Sequence, residues 1–499
     1  MRELFKDLDN RIRLGKAREV VHRLHKVNTA KIPRELLVEA ANIARRAGIP
    51  IFAVRLLNPI VRNQEDLIHP ATPREQAEYA VALTRIGVVT EAKKILDTLD
   101  ASSDPMVFLY RAYAAFAEWD SAAAIGHLQE FVVAPGVDDY MRLVGQVNLA
   151  SGLIGASRYR EADQLLVELR EHTLTGGHDL LYGNCLELSS QSAMFQRDFS
   201  RAAEFLEKGL CVFGEKKNIY EFFVRKDQAF LRLLNEGPNA AALDELAGIR
   251  REAETLGHWE SIRDCDFYRA VAEQDDRLLN HVWYGTPFAS YREKMVEMYG
   301  SPVQISRSHV WRSDEQEERP NRVFDMRLAK EGNVAELKPG QLVHRLFAIL
   351  NSDYYRPFRM GEIYSKLFPN DYFCPFSSPD RIYQLVKRLR QWLAKSGIPI
   401  QVVEKDGDYA LASEEPYGIK VYKEKVGKPS QLVVFLRLKQ EWGERLFSAR
   451  ELSEFAEFSH SKANTLIAWA VDHGFLEKVG SGPRIKYRLC AADESPLAA

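Results

Sequence analysis

Cysteine is scarce in this chain, and long apolar runs are missing. The 499 residues include five cysteines, which are scattered without a pair at metal-ligand spacing, so we expect them to be reduced and unbridged. No apolar stretch approaches the roughly 18 residues that span a bilayer. The first 24 residues are rich in charge and lack the apolar core of a secretion signal. These absences predict a cytoplasmic protein without a membrane segment.

Sequence motifs of catalysis are missing as well. The chain has no Gly-x-x-x-x-Gly-Lys phosphate loop, no His-Glu-x-x-His metal pair and no Gly-x-Ser-x-Gly nucleophile turn. His22 and His25 lie three residues apart without an acid or cysteine cluster nearby, which favours a surface or capping role over metal binding. We therefore expect no enzyme, no cofactor and no metal.

The overall charge of −2 hides an asymmetry between two parts of the chain. Residues 321–499 carry 27 Lys and Arg against 22 Asp and Glu, which leaves 41 against 48 of the chain's 68 and 70 for residues 1–320. The first part is therefore acidic, with a net charge of −7, and the second is mildly basic, with +5. A basic region can approach nucleic acid, whereas an acidic region avoids it.

A four-residue unit that ends in alanine recurs through the first 280 residues. Its starts lie 30 to 40 residues apart, which is the spacing of stacked helix pairs. Each alanine is expected to let neighbouring helices approach closely. The units run from Leu14 to Ala17, Pro50 to Ala53, Val89 to Ala92, Trp119 to Ala122, Tyr159 to Ala162, Phe199 to Ala202 and Pro238 to Ala241. The pattern predicts an N-terminal helical solenoid.

Two stretches of this region, 150–166 and 189–206, resemble tetratricopeptide repeats. The usual repeat has 34 residues, and the units here are longer and less regular. The resemblance implies a concave surface that binds a peptide or protein partner.

The stretch 323–411 has the element order of a winged helix. Alternating apolar residues predict strands, and apolar residues at helical spacing predict helices. Ser378-Pro379-Asp380 is typical of a helix start. The predicted elements are a strand pair over 323–328 and 334–337, helices from Gln341 to the Arg356-Pro357 step, from Met360 to Phe368 and from about residue 379, and a hairpin over 400–411 with its tip at 404–408.

The third of these helices gathers positive charge on one side. Its expected apolar stripe is Ile382, Leu385, Val386, Leu389 and Leu393, and its outward residues are Arg381, Tyr383, Gln384, Lys387, Arg388, Arg390 and Gln391. A helix of this charge fits the major groove of DNA, and a hairpin beside it can touch phosphate. Winged helices also serve as protein-binding modules, so contact with protein alone stays an alternative.

The runs 356–369 and 386–393 resemble the OmpR/PhoB-type winged helix of bacterial transcription factors. In that family the outward face of the third helix enters the major groove, which the resemblance carries over to Gln384, Lys387, Arg388 and Arg390. Arg381 lies on the same outward side and completes this candidate set. The hairpin of the family usually ends in Gly-x-Gly-Tyr, whereas residues 406–409 read Asp-Gly-Asp-Tyr, and these acids would repel phosphate.

A second order of three helices and a hairpin is expected from residue 430. Helices are predicted from Ser430 to Trp442, after Ser448 and after Ser459, and Gly474 stops the last one. Lys462 and Asn464 point outward from that third helix. The return strand of the hairpin places Arg484, Lys486 and Arg488 on one side, as candidate phosphate contacts.

We therefore expect a mainly α protein, with an N-terminal helical-repeat solenoid followed by two α/β winged-helix domains. Residues 284–299 are predicted as a helix, and 302–311 as a strand. The predicted domains are tetratricopeptide-like repeats over 1–283, a helical connector and charged linker over 284–320, an OmpR/PhoB-like winged helix over 321–412, a second winged helix over 413–490 and a disordered tail over 491–499.

The function that follows is a DNA-binding transcriptional regulator. The repeats would sense a peptide or protein effector, and the winged helices would bind double-stranded promoter DNA. RNA polymerase and a second copy of the chain are further candidate partners. The linker over 312–320 would act as a hinge that lets the effector change how DNA is presented. The alternative is a PCI-like scaffold or adaptor subunit, in which winged helices contact proteins.

Overall fold

The structure is a computed structural model of the whole chain, and its residues form two compact units. The repeat unit comprises Met1–Gln304, Leu350–Gln384 and Glu404–Ala410, and the C-terminal unit comprises Ile305–Ile349, Leu385–Val403 and Leu411–Ala499. The described residues are all except 14–15, 63–68, 214–218, 301–304, 313–319, 321, 333–334, 414, 424–433, 436–437, 440, 457–458, 473, 481, 483–484 and 491–499.

Seventeen helices occupy the described part of the first 299 residues. They are α1 Arg2–Arg13, α2 Ala17–Leu24, α3 Leu37–Arg46, α4 Pro50–Val61, α5 Pro73–Arg85, α6 Val89–Asp97, α7 Met106–Ala117, α8 Ser121–Val133, α9 Asp139–Gly155, α10 Tyr159–Thr175, α11 Asp179–Phe195, α12 Phe199–Phe213, α13 Ile219–Glu236, α14 Ala240–Leu256, α15 Trp259–Glu273, α16 Asp276–Tyr284 and α17 Ala289–Tyr299. Two single turns of 3-10 helix, Thr29–Lys31 and Arg34–Leu36, precede α3.

The helices from α3 to α16 form seven successive pairs. Most helices of this series pack on the next one, and the first helices of neighbouring pairs also contact one another, as α3 does with α5 and α13 with α15. This is the packing of a helical solenoid, in which each pair buries its apolar face against its neighbours. The prediction of a helical solenoid is confirmed.

A left-handed residue recurs in the turn inside the pairs. In the second pair the backbone N–H of Val88 donates to Leu83 O at 2.9 Å, which closes the turn in a Schellman arrangement. Gly87, at φ +88°, adopts this conformation without strain. Equivalent left-handed residues are Gly48, Trp119, Ser157, Arg197, Gly237 and Gln274. Side chains at these positions therefore project from one edge of the solenoid.

The alanine alignment is correct at four units and wrong at two. Ala53, Ala92, Ala162 and Ala202 are fully buried. Ala122 and Ala241 are exposed, and Ala124 and Ala242 are buried instead. The shift arises because Asp120 and Asn239 cap their helices, accepting hydrogen bonds from the backbone N–H groups of Ala123 and Ala242 at 3.0 Å. Of the first unit, residues 14 and 15 lie outside the described part.

The helix predicted over 284–299 begins five residues later, at Ala289, and ends at Tyr299 as predicted; Tyr284 is the last residue of α16, and the break between the two helices contains Gly285 and Pro287. Helix α17 packs on α15 and lies beside the edge of the solenoid at which the turns inside the pairs are found. The ring of Trp119 stacks on Phe288 with centroids 5.0 Å apart, and Ser290 Oγ donates to Trp119 O at 2.8 Å.

The repeat unit also contains strand β5, Phe358–Arg359, and helix α19, Met360–Leu367. β5 pairs with β7, Asp408–Ser413, which forms a hairpin with β6, Ile400–Lys405. Asp406 and Gly407 both have positive φ, so the tip is a two-residue turn of type I′. Helix α20, Ser378–Lys395, follows α19 in the sequence and precedes the hairpin, and its residues from Leu385 onward belong to the C-terminal unit.

A five-stranded sheet belongs to the C-terminal unit, with the order β1-β8-β2-β3-β4. The strands are β1 Ser308–Arg312, β2 Val323–Asp325, β3 Lys330–Glu331, β4 Ala335–Glu336 and β8 Gly418–Tyr422. β2 ends three residues earlier than predicted, because the Asp325 carboxylate accepts hydrogen bonds from the N–H groups of Arg327 and Leu328 at 2.9 Å. Strand β8, which pairs with β1 and β2, was not predicted.

Helix α18, Leu342–Leu350, ends six residues before the predicted Arg356-Pro357 step. The chain turns at Asp353, whose Oδ1 accepts the N–H groups of Tyr355 and Arg356 at 3.1 Å. The starts predicted for α19 and α20 agree with the structure to within one residue.

Two helices and a hairpin follow toward the C-terminus: α21 Ala449–Phe455, α22 His460–Asp472, β9 Leu476–Val479 and β10 Lys486–Leu489. Ser448 caps α21 in a capping box with Glu451, as predicted for that serine. The helix predicted from Ser430 to Trp442 falls largely outside the described residues, as does the tail over 491–499. Searched over the described residues, no helix has the length and apolar character needed to span a bilayer.

Candidate functional site

Helix α20 has the two faces that its sequence predicts. Its apolar stripe is buried, with Ile382 and Leu389 fully covered. The polar residues of the opposite face are exposed: Arg381, Tyr383, Gln384, Lys387, Arg388, Arg390 and Gln391. Ser378 does not cap the helix by the predicted route, since its hydroxyl accepts the Cys374 N–H at 2.9 Å.

Two of the predicted contact residues on this face are used within the chain. Arg381 donates to Asp371 Oδ2 at 2.7 Å and to Tyr364 Oη at 3.0 Å, and its guanidinium lies 3.7 Å from the centre of the Phe368 ring. Arg390 donates through Nε and Nη2 to Val402 O, at 2.9 and 2.7 Å. Arg390 therefore fastens α20 to strand β6.

Lys387 and Arg388 are the open cations of this face. Among the described residues neither has a hydrogen bond or an ion pair, and both are exposed. Gln384 is exposed one helical turn before them. This surface, formed by Gln384, Lys387 and Arg388, is called the open face of α20 below. Whether it contacts DNA stays a prediction.

The hairpin beside α20 carries more acid than base. Lys405 stands among Glu404, Asp406 and Asp408, and Gly407 N donates to Glu404 Oε1 at 2.9 Å. Burial raises the pKa of Asp408, which the Arg359 and Arg356 charges partly offset. An acidic tip repels phosphate, so this hairpin offers no counterpart to the open face.

The second predicted set is less available. Lys462 and Asn464 are exposed on α22. On β10, Lys486 donates to Glu451 Oε2 at 3.2 Å, and Arg488 forms an ion pair with Glu477. Both cations of this strand are therefore paired with acids. Arg484 lies outside the described residues.

Buried polar networks in the repeat unit were not predicted. In the first pairs, Arg45 Nε donates to Glu78 Oε1 at 2.7 Å, and Tyr110 Oη donates to Glu78 Oε2 at 2.8 Å. Their helices α3, α5 and α7 are the first members of successive pairs. The side chains of Arg45 and Glu78 are 7% and 2% exposed, so this ion pair is shielded from water and salt.

A larger network joins α13, α15 and α17. Lys226 Nζ donates to Asp264 Oδ2 at 2.5 Å and lies 3.6 Å from Asp227, and Tyr291 Oη donates to Asp264 Oδ1 at 2.7 Å. Next to Asp264 in the sequence, Arg263 Nη2 donates to both carboxylate oxygens of Asp353, at 2.8 and 2.9 Å. The network therefore connects the repeats with the turn before α19.

Glu187 on α11 is an acid without a cationic partner. Gln191 Nε2 donates to its Oε1 at 3.4 Å, and no ion pair forms at this carboxylate among the described residues. The pKa of Glu187 is raised to about 7, mainly by burial and also by the charge of Asp227, while the charge of Lys226 acts in the opposite direction. Apolar spacing along the sequence reveals which face of a helix is buried but not which polar groups meet there, so these residues escaped prediction.

Comparisons with known proteins do not assign the chain to a family. No protein-family model and no curated protein matches it. Similar solved structures include a putative kinesin light chain with TPR-like repeats from Podosopora anserina, at 21% identity and TM-score 0.32, over 37% of this chain and 95% of that one. A Rap protein in complex with competence and sporulation factor has 11% identity and TM-score 0.41, over 59% and 88%.

A third solved structure, aspartyl phosphate phosphatase F from Bacillus subtilis, has 12% identity and TM-score 0.36, over 56% of this chain and 82% of that one. At these identities and scores the likeness carries no conclusion about the function of this chain.

Proposed function

We propose that this protein is a DNA-binding transcriptional regulator in which the open face of α20 contacts promoter DNA. The segment 321–412 would act as a winged helix of the OmpR/PhoB type, 413–490 as a second one, and the tetratricopeptide-like repeats over 1–283 as the binding region for a peptide or protein effector. Binding, not catalysis, is the proposed activity of every part.

One observation carries the proposal. Lys387 and Arg388 are exposed and unpaired among the described residues, while Arg381 and Arg390 of the same helix donate to an acid and to a carbonyl group. Cations that keep their donors free can bind phosphate oxygens or the O6 and N7 acceptors of guanine. Gln384, one turn earlier, adds an amide that can bind adenine.

The test is titration of the full-length protein with genomic DNA fragments at several salt concentrations. We expect affinity to fall steeply as salt rises, because each phosphate contact releases counterions. Arg388→Ala should weaken binding by about 1–3 kcal/mol at one base pair if the side chain reads a base, and uniformly across sequences if it contacts phosphate. Arg160→Ala, an equal loss of charge on α10, is the matched control. Equal affinities for the two variants would refute the proposal.

A second function, that of an adaptor, has its own supporting observation. Tyr372, Phe376 and Tyr383 are 65%, 62% and 51% exposed before and at the start of α20. Exposed aromatic side chains favour protein partners. The weak cationic character of both hairpins points the same way. An adaptor would show no sequence preference among genomic fragments and, because it makes no phosphate contacts, little dependence on salt.

A further inference from the structure

Residues 353–373, here called the strap, contact the repeats at two places that are far apart in the sequence. One anchor is on α15 and α16. There Arg263 pairs with Asp353, with side chains that are 1% and 0% exposed, and the Tyr354 N–H donates to Gly285 O at 3.1 Å. The Arg263 guanidinium also lies 5.5 Å from the centre of the Tyr355 ring. This anchor is a fully buried ion pair within aromatic surroundings.

The other anchor is on the pair α5/α6. Gly361 faces the turn at Ile86 and Gly87 so closely that a Cβ on Gly361 would collide with Ile86 O and lie 2.9 Å from Val88 Cγ2. A Cβ on Gly87 would lie 2.7 Å from Glu362 Cβ. Further along, Glu91 Oε2 accepts the Phe373 N–H at 2.8 Å. Two glycines thus allow α19 to sit directly on a hairpin turn.

Four helix pairs separate these anchors along the solenoid. Each pair of a solenoid contacts only its neighbours, so curvature is the soft degree of freedom of such a fold. The eight Cα–Cα steps from Asp353 to Gly361 extend at most about 28 Å, which limits the distance between the anchors. A change in the curvature of the repeats therefore requires α19 to move or one anchor to release.

We propose that the strap closes the repeat unit. When the curvature of the repeats changes, the strap moves its own helix α19, which leads into α20. A buried ion pair is costly to separate: Arg263 would lose the carboxylate it pairs with, and Asp353 would keep only the longer contact with Arg356 at 3.6 Å. Separating the glycine contact on α5/α6 breaks no ion pair, so this anchor is the one that releases first. The consequence for DNA rests on the proposed function, whereas the strap itself does not.

The test is hydrogen exchange of the full-length protein, followed by mass spectrometry. Gly361→Ala should speed exchange about tenfold at the α19 amides and also at the distant turn around Asp353, because overpacking releases one anchor and loosens the other. Gly126→Ala is the matched control, since its Cβ would meet nothing within 4 Å on α8. If the amides of the Asp353 turn exchanged in Gly361→Ala at the same rate as in the wild type, the proposal would be overturned.

Three further variants distinguish the strap from a local folding defect. Gly87→Ala combines the collision with backbone strain, and Gly48→Ala has the same strain, at φ +90°, with open space around its Cβ. Asp353→Asn loosens the strap from the opposite end and should speed exchange at the α19 amides. Equal exchange in Gly87→Ala and Gly48→Ala, or unchanged α19 amides in Asp353→Asn, would contradict the strap.

DNA titration of the same variants separates the two proposals. If the wild-type protein binds DNA, Gly361→Ala should change its affinity and Gly126→Ala should not. If the wild-type protein binds no DNA, the proposed function fails, while the exchange results still decide whether the strap exists.

Discussion

Cationic side chains have different surroundings in the repeat unit and on the open face of α20. Arg45 and Arg263 are buried and each donates to a buried carboxylate. Lys387 and Arg388 are exposed and have no partner among the described residues. The two arginines connect elements of the repeat unit, whereas Lys387 and Arg388 connect no elements in the part of the chain that the structure describes. A candidate binding surface is distinguished here by cationic side chains that are exposed and unpartnered, and not by the number of positive charges.

The same distinction separates α20 from the C-terminal hairpin. Strand β10 has two described cations, but Glu451 and Glu477 pair with them. An ion-paired cation must give up its partner before it can bind phosphate, so its net gain on binding is small. The sequence alone suggests similar roles for the two sets, and the contacts separate them.

The largest effect on stability is expected at Arg263, the cation whose surroundings differ most from those of the open face of α20. Arg263→Ala should lower the free energy of unfolding of the repeat unit by about 3–5 kcal/mol, because the buried Asp353 loses its two short hydrogen bonds from Arg263 and keeps only the longer contact with Arg356, at 3.6 Å. Urea denaturation followed by circular dichroism measures this loss. Arg160→Ala, at an exposed position, should stay within about 0.5 kcal/mol of wild type. Similar losses in both variants would mean that the buried ion pair is not structural.

Glu187 contrasts with these ion pairs, since its carboxylate forms no ion pair among the described residues. Burial and the charge of Asp227 raise its pKa from 4.5 to about 7. Between these values the folded protein retains a proton that the unfolded chain has released, so the stability of the wild type falls as pH rises through this window. Above it the loss is complete.

Glu187→Gln removes this titration. The variant should match wild type near pH 4 and be more stable than wild type by about 1–3 kcal/mol at pH 8. Thermal unfolding at several pH values checks the prediction, with Glu168→Gln on α10 as an exposed control. A difference between Glu187→Gln and wild type that does not vary with pH would show that the carboxylate of Glu187 titrates normally.

Local signals in the sequence predict much of the fold. The apolar stripe of α20, the serine caps of α21 and α22 and the tip of the β6–β7 hairpin all follow from residues within one or two turns of one another. Errors arise where a neighbouring cap resets the helix start, as at Ala122 and Ala241. Aligning small residues cannot detect such a shift, because the cap decides which residue faces inward.

Contacts between distant residues were beyond prediction. Arg263 and Asp353 are 90 residues apart, and nothing in the periodicity of either segment identifies the other. The contact between Gly361 and the turn at Gly87 is equally hidden, since both glycines are typical of ordinary turns and helix starts. The predicted hinge over 312–320 falls mainly on residues outside the described part, so it stays a prediction, as do the domain boundaries.

Arg390 and Arg388 allow a partnered and an unpartnered cation to be compared within the single helix α20. Arg390→Ala should lower the free energy of unfolding by about 1 kcal/mol, because Val402 O loses two charged donors. Arg388→Ala should change it by less than about 0.5 kcal/mol, since this side chain has no partner. In DNA titrations the order should reverse, with the larger loss at Arg388. If Arg388→Ala were the less stable variant, the open face would have a structural role.

The smallest effect is expected at Glu451, which neutralises Lys486. Hydrogen bonds from Ser448 and Lys486 lower the pKa of Glu451 to about 2, so it is charged at neutral pH. Glutamine retains the capping-box geometry, so Glu451→Gln should change stability by less than about 1 kcal/mol. Releasing Lys486 should then strengthen DNA binding and steepen its salt dependence by about one contact if β10 approaches phosphate.

Glu454→Gln is the matched control for this change, because it removes an equal charge from the same helix and frees Arg450, which is not on the hairpin. A gain in affinity for Glu451→Gln alone would mean that the two cations paired with Glu451, Lys486 on β10 and Arg445 before α21, are held back by this acid. Equal gains would reflect net charge only, and no gain in either variant would leave α20 as the single candidate surface.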